Sequence, residues 1–388
     1  MEEDGKIPHS KLYIFLNFFT ITASIVIIYI VFVNNDSANA QKSYEAPKSL
    51  EFAIIVFRHG SRSPVLTFPT DTSQWPEGRL ALTSKGKSQM LKRGQTLRER
   101  YGNFFNYTFR QEDFLIRTTN SSRTRMSLEI LLSGMFPADL YRPGNWQPVD
   151  ILTDNFDKHL IIVKPELCPK YGSEQVAAFQ FDTYLENDRD FISFLFRKTG
   201  LLVGDPLDML VIWDVLNCSE EDGSPLPDWA TKNVTNKLTN EIEKIMSLFV
   251  ASTPRATTFV EGPLIQYFSD WLTQKLSGNA TEKILMHSGH DFTLMSLLSA
   301  VGFKNIPIIP PASVLIFEVH KAHKSHEVKL MFYNSTVQYE NSEVETLVEP
   351  IHLDMPKCSG KCTLENFQAL LKEYEIDERA WQERCHEQ

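Results

Sequence analysis

The sequence predicts an α/β fold: a mostly parallel central sheet flanked by helices, with an inserted, mainly helical cap domain. Three observations carry this. Leu50–Val56 reads LEFAIIV, a short, β-branched-rich and nearly continuous apolar run, as expected of a buried parallel strand. Two further short apolar runs, Phe114-Leu115-Ile116 and Ile284-Leu285-Met286, each precede a helix-like stretch. Between Tyr141 and Pro254 the texture changes. Pro and Trp punctuate short segments there, and helical patterns occur near 174–200 and 230–251.

Taken in order, the elements begin with a targeting segment at residues 1–40. Leu12 to Val33 is apolar, uncharged and long enough to span a bilayer. Ala38-Asn39-Ala40 has the small-x-small form of a signal-peptidase site. The segment is a cleaved signal peptide or a retained signal anchor, and either delivers the chain to the secretory lumen. After the first strand, a loop rich in Pro, Thr and Asp runs to Pro76. Thr83 is placed to cap a helix that continues to about Tyr101. The second strand ends at Arg117, and Ser121 or Ser122 can cap a helix to about Phe136. Pro263 to Leu276 reads as another helix, with Pro263 in its first turn. The third strand closes at His287-Ser288-Gly289-His290-Asp291, and a helix follows from Phe292 to Val301. Ser313–Val319 and Val328–Tyr333 alternate and pair as an antiparallel hairpin. The α/β domain then comprises residues 48–140 and 255–350, the cap 141–254, and a C-terminal segment 351–388.

The bulk properties narrow the class. Of 388 residues, 42% are hydrophobic and 23% charged, as in an ordinary globular protein. A formal charge of −10 argues against a nucleic-acid partner. It leaves room for an anion site, because a few arginines can dominate the field in a cleft. Asn-x-Ser/Thr triplets at Asn106, Asn120, Asn217, Asn233, Asn279 and Asn334 are candidate glycosylation sites. All five cysteines, Cys168, Cys218, Cys358, Cys362 and Cys385, follow the targeting segment. An oxidising compartment makes disulfides their default. A zinc site built on Cys358 and Cys362 would lack a second pair of ligands. Five is odd, so one thiol is left over.

The chemistry concentrates at strand ends, where open α/β sheets bind ligands. The first strand runs into Phe57-Arg58-His59-Gly60-Ser61-Arg62-Ser63-Pro64, one histidine between two guanidinium groups. Phosphate-ester hydrolysis needs a nucleophile in line with phosphorus, cations around the equatorial oxygens and an acid for the leaving oxygen. His59 is the candidate nucleophile. Arg58 and Arg62 disfavour its imidazolium form and can each grip two phosphate oxygens. Gly60 lets the backbone pass close to a ligand. Arg117 is a third phosphate donor if its strand neighbours the first, and otherwise a surface arginine in an ion pair. Arg123 and Arg125 read as structural. His290 could donate to a phosphate oxygen beside a helix N-terminus. Asp291 could protonate the leaving group while also capping that helix. His287 reads as structural.

Arg58-His59-Gly60-Ser61-Arg62-Ser63-Pro64 resembles the RHGxRxP signature of the histidine acid phosphatases, and His290-Asp291 resembles their later HD pair. The resemblance covers Leu50 to the C-terminus. It implies an α/β domain with an inserted helical cap and hydrolysis of phosphate monoesters through a phosphohistidine, with an acid optimum. It implies His59 as nucleophile, Asp291 as proton donor, and Arg58, Arg62, Arg117 and His290 as phosphate ligands. No metal or cofactor is implied, because the arginines supply the charge. The expected partners are small phosphate monoesters and phosphoproteins, with a homodimer implied by the family alone. The resemblance also implies disulfides Cys168–Cys385 and Cys358–Cys362, and leaves Cys218 unpaired because its partner position holds Val314. Ser61 departs from the Asp usual in the closest relatives, so local acid–base tuning differs. The alternatives are a phytase-like or phosphosugar phosphatase, and a catalytically silent secreted binding protein on the same fold. The expected location is extracellular, or lumenal if the anchor is kept.

Overall fold

A computed structural model of the chain describes residues 46–137, 147–154, 161, 165–179, 188–251, 253–323, 325–334, 349–358 and 360–387. The expected targeting segment lies outside these residues. Among the described residues, no helix is long and apolar enough to cross a membrane.

The strands are β1 (Leu50–Arg58), β2 (Phe114–Thr118), β3 (Leu152–Thr153), β4 (Ile284–Gly289), β5 (Val314–Ala322), β6 (Ser325–Tyr333), β7 (Ile351–Leu353) and β8 (Cys362–Thr363). The helices are α1 (Ser84–Tyr101), α2 (Ser122–Met135), α3 (Pro169–Phe179), α4 (Arg189–Thr199) and α5 (Pro206–Asp222), then α6 (Lys232–Val250), α7 (Pro254–Leu276), α8 (Asp291–Ala300), α9 (Leu364–Lys372) and α10 (Glu378–Cys385). One mixed sheet has the order β3-β2-β4-β1-β5-β6-β7, with β8 on β6. Strands β3, β2, β4 and β1 run parallel, and β5 to β8 extend the sheet antiparallel. This is the expected α/β architecture of a sheet flanked by helices.

The alternation of β1 explains its place. Ile55 and Phe57 face a core with Met90 and Leu97 of α1 and Leu128 and Leu131 of α2. Both faces of β1 are covered, which is why it is apolar throughout. Thr83 caps α1 as expected, its Oγ1 accepting from Gly86 N at 3.1 Å. The β5–β6 hairpin forms with Val314 opposite Tyr333.

Two helices differ from expectation. Helix α7 begins at Pro254, not Pro263, with Thr253 as its cap. Pro263 is therefore interior, where it cannot donate to the Phe259 carbonyl. Trp381 of α10 donates its indole N–H to that carbonyl at 2.7 Å. A side chain from the end of the chain thus offsets the lost helical bond. Just before Pro263, a Cβ on Gly262 would come within 2.9 Å of the Tyr374 carbonyl oxygen, so this close packing needs glycine. Helix α5 was not expected at all. It starts from a capping box, Asp205 with Asp208, followed by a first-turn proline.

Cys168 bonds Cys385 and Cys358 bonds Cys362, while Cys218 is a buried thiol. The residues at Asn106, Asn120, Asn233 and Asn279 are exposed. Asn217 is not on a surface loop. It sits within α5 and donates to Glu221 at 3.0 Å, between buried neighbours.

Candidate active site

The carboxyl ends of β1 and β4 lie side by side, with Arg58 opposite Gly289. β1 leads into His59 to Arg62, and β4 into His290 and Asp291. Gly60 is needed for packing more than for ligand approach. A Cβ there would overlap the Gly86 carbonyl at the start of α1. Its N–H donates to Ser127 Oγ at 3.2 Å, which fixes the loop against α2.

His59 is 2% exposed. Its Nδ1 lies 2.8 Å from the Gly60 carbonyl oxygen. A carbonyl only accepts, so Nδ1 carries the hydrogen and Nε2 keeps its lone pair. Burial lowers the ring's pKa well below 6.5, and the charges of Arg123, Arg58 and Arg62 lower it further. The imidazole is therefore neutral, with its free lone pair on Nε2.

His290 packs edge-on against His59, with ring centroids 5.5 Å apart. Its tautomer also follows from its partners. Arg123 Nη2 can only donate, so His290 Nδ1 accepts from it at 3.1 Å. His290 Nε2–H then donates to Thr119 Oγ1 at 3.1 Å. Thr119 reaches Thr124 Oγ1 at 2.9 Å, and Thr124 donates to backbone carbonyls of Ser121 and Thr119. The chain of hydroxyls points one way and ends on the backbone.

Three arginines converge here, but not the expected three. Arg58 donates through Nη1 to the Ile309 carbonyl, and its Nη2 lies 3.0 Å from Asp291 Oδ2. Arg62 forms a two-point pair with Asp214 of α5, at 2.8 and 3.1 Å. The third is Arg123, in the first turn of α2. Arg117 is elsewhere. β4 separates its strand from β1, and Arg117 sits opposite His287, two residues short of Gly289. Its guanidinium pairs with Asp154 at 2.5 Å and stacks on Tyr267 at 3.7 Å. It lines a cavity of about 270 Å³ with Thr119, Glu261 and His287.

The sequence held a signal for Arg123. A cation in the first turn of a helix opposes the helix dipole, so it calls for another purpose. Asp214 and its neighbours were missed with α5. Along one face of that helix, Asp214, Cys218 and Glu221 approach the arginines. Burial raises the Cys218 thiol well above its usual pKa, with Asp214 adding to it. Burial likewise raises the Glu221 carboxyl, against the pull of Arg58 and Arg62. Ser61 is buried at the start of α1, its N–H donating to Gln89 Oε1 at 2.9 Å.

A neutral histidine ringed by guanidinium groups at the strand ends of an α/β sheet has the chemistry of an oxyanion-binding site. A profile of the histidine phosphatase superfamily (branch 2) matches residues 49–333, and the chain belongs to that family. It is 31% identical over 341 residues to a prostatic acid phosphatase of Homo sapiens, covering 84% of this chain and 85% of that one. It is 31% identical over 354 residues to a lysosomal acid phosphatase of Xenopus laevis, covering 87% and 79%. Its fold is similar to that of a Hafnia alvei phytase in complex with tartrate, with a TM-score of 0.64 at 17% identity. That match covers 85% of this chain and 98% of the phytase.

Proposed function

We propose that this chain is an acid phosphatase that hydrolyses phosphate monoesters through a covalent phosphohistidine, in the secretory lumen or outside the cell. The observation that carries the reading is the Gly60 carbonyl on His59 Nδ1, which leaves Nε2 unprotonated among three arginines. His59 Nε2 attacks phosphorus, and the bond from phosphorus to the ester oxygen breaks. The Nδ1–H keeps donating to the Gly60 carbonyl, which stabilises the cationic phosphoimidazole. Arg58, Arg62 and Arg123 hold the equatorial oxygens.

The leaving oxygen needs a proton, and Asp291 supplies it. The carboxyl rests against Arg58. A phosphoryl group that takes this guanidinium frees the carboxyl to deliver its proton to the leaving oxygen. Water then attacks phosphohistidine and gives its proton to Asp291. Phosphate leaves, and both groups return to their starting state. The acid phosphatase names of the relatives and their coverage support phosphate-ester hydrolysis, and the lysosomal name of one supports a lumenal location.

The test is rapid-quench labelling with a ³²P-monoester in acid. Acid-labile label should appear on the wild-type chain at up to one equivalent and be absent from His59→Ala. Turnover of the ester without any trapped label would remove the covalent step.

A further inference from the structure

Arg62 is held by the helical region between residues 165 and 250, through Asp214 of α5. Asp214 Oδ1 accepts from Arg62 Nη2 at 2.8 Å, and Oδ2 accepts from Nη1 at 3.1 Å. Oδ2 also accepts from Val65 N at 2.8 Å, and Cys218 Sγ lies 3.6 Å from Oδ1. The buried carboxylate thus has donors on both oxygens. Nη1 further donates to the Ser63 carbonyl at 3.1 Å.

What this leaves is specific. A guanidinium has five N–H donors arranged in two forked edges. Asp214 occupies the end formed by Nη1 and Nη2. The other fork is made by Nε–H and the second hydrogen of Nη2. Nε is buried and has no acceptor among the described residues. A fork of this kind matches two oxygens of a phosphoryl group. Two buried groups of opposite charge hold each other ionised. Burial works against the charge on both, yet Arg62 is held more firmly protonated and Asp214 falls below the usual carboxylate range.

We propose that Asp214 is a positioning residue. It grips one edge of Arg62 from α5 and thereby presents the opposite edge, Nε–H with Nη2–H, to the phosphate oxygens of the substrate. This rests on the phosphatase reading above. The inserted helices then contribute to phosphate binding itself, and not only to the walls around it.

The experiment is a double-mutant cycle on the full chain with Asp214→Asn, Arg62→Ala and the pair. It measures kcat and KM for p-nitrophenyl phosphate, Ki for inorganic phosphate, and Tm for each variant. Asp214→Asn should raise Ki for phosphate about 10- to 100-fold, the scale of one charge-assisted hydrogen bond. In the Arg62→Ala background, the same substitution should change Ki by less than about threefold. Asp214→Glu, which keeps the charge, should recover part of the loss. A role confined to anchoring α5 on Val65 would lower Tm and leave Ki unchanged. That result, or full additivity of the two substitutions, overturns the proposal. If the wild type neither hydrolyses the ester nor binds phosphate, the phosphatase reading fails and this inference fails with it. If the wild type is active and Asp214→Asn keeps its Ki, only the inference fails.

Discussion

Removing the His59 ring should make the protein more resistant to acid unfolding, and the size of the gain follows from where the ring sits. Burial and three nearby guanidinium groups hold its pKa well below 6.5. In the unfolded chain the same ring titrates near 6.5. Between those two values the unfolded state binds more protons than the folded one. Stability therefore rises with pH across that window and is lost as pH falls below 6.5. With the ring neutral throughout, integrating from pH 7 to pH 5 gives about 2 kcal/mol lost by the wild type. His59→Asn has no such titration. Urea unfolding at pH 5, 6 and 7 should show the two proteins' stabilities converging, or crossing, toward acid by about that amount. Parallel pH curves would mean that the folded ring titrates normally, and the neutral nucleophile would be lost as a premise. This assay needs no substrate, so it tests the electrostatics apart from the chemistry.

Two further contrasts bear on the site. Arg123→Ala should raise Ki for phosphate about 10- to 100-fold, whereas Arg117→Ala should lower Tm but leave Ki within about twofold. Equal effects on Ki would return Arg117 to the site. Asp291→Asn should slow alkyl phosphates about 100-fold or more while slowing phenolic esters far less, because good leaving groups need no proton. Equal slowing of both ester classes, measured as kcat/KM, would remove Asp291 from the donor role.

The strands of the sheet were legible because each is a short apolar run that ends in a polar cluster. The strand-end position of His59 and His290 follows from the same pattern. Arg117 shows where that reasoning stops. Proximity to a strand end says nothing about which face a side chain takes or which strand lies between. Only the register, with Arg117 beside His287 and Arg58 beside Gly289, separates the two arginines. Helix α5 was hidden for a different reason. Its residues from Leu207 to Leu216 are apolar nearly all round, so the helical period is weak. Asp205, Pro206 and Asp208 mark its start, where proline initiates a helix and does not break one. Pro263 poses the opposite problem, because a proline inside a helix looks locally like one that starts it. The indole that tolerates it lies more than a hundred residues downstream, beyond the reach of any local pattern.

The last helix fastens the molecule twice. Cys385 is tied covalently to Cys168, ahead of the inserted helices, and one turn earlier Trp381 lends its indole to the backbone of α7. Helix α10 is thus a clasp that closes over two distant stretches of chain. Losing it would strip the crosslink from one and expose a bare carbonyl in the other at a single stroke.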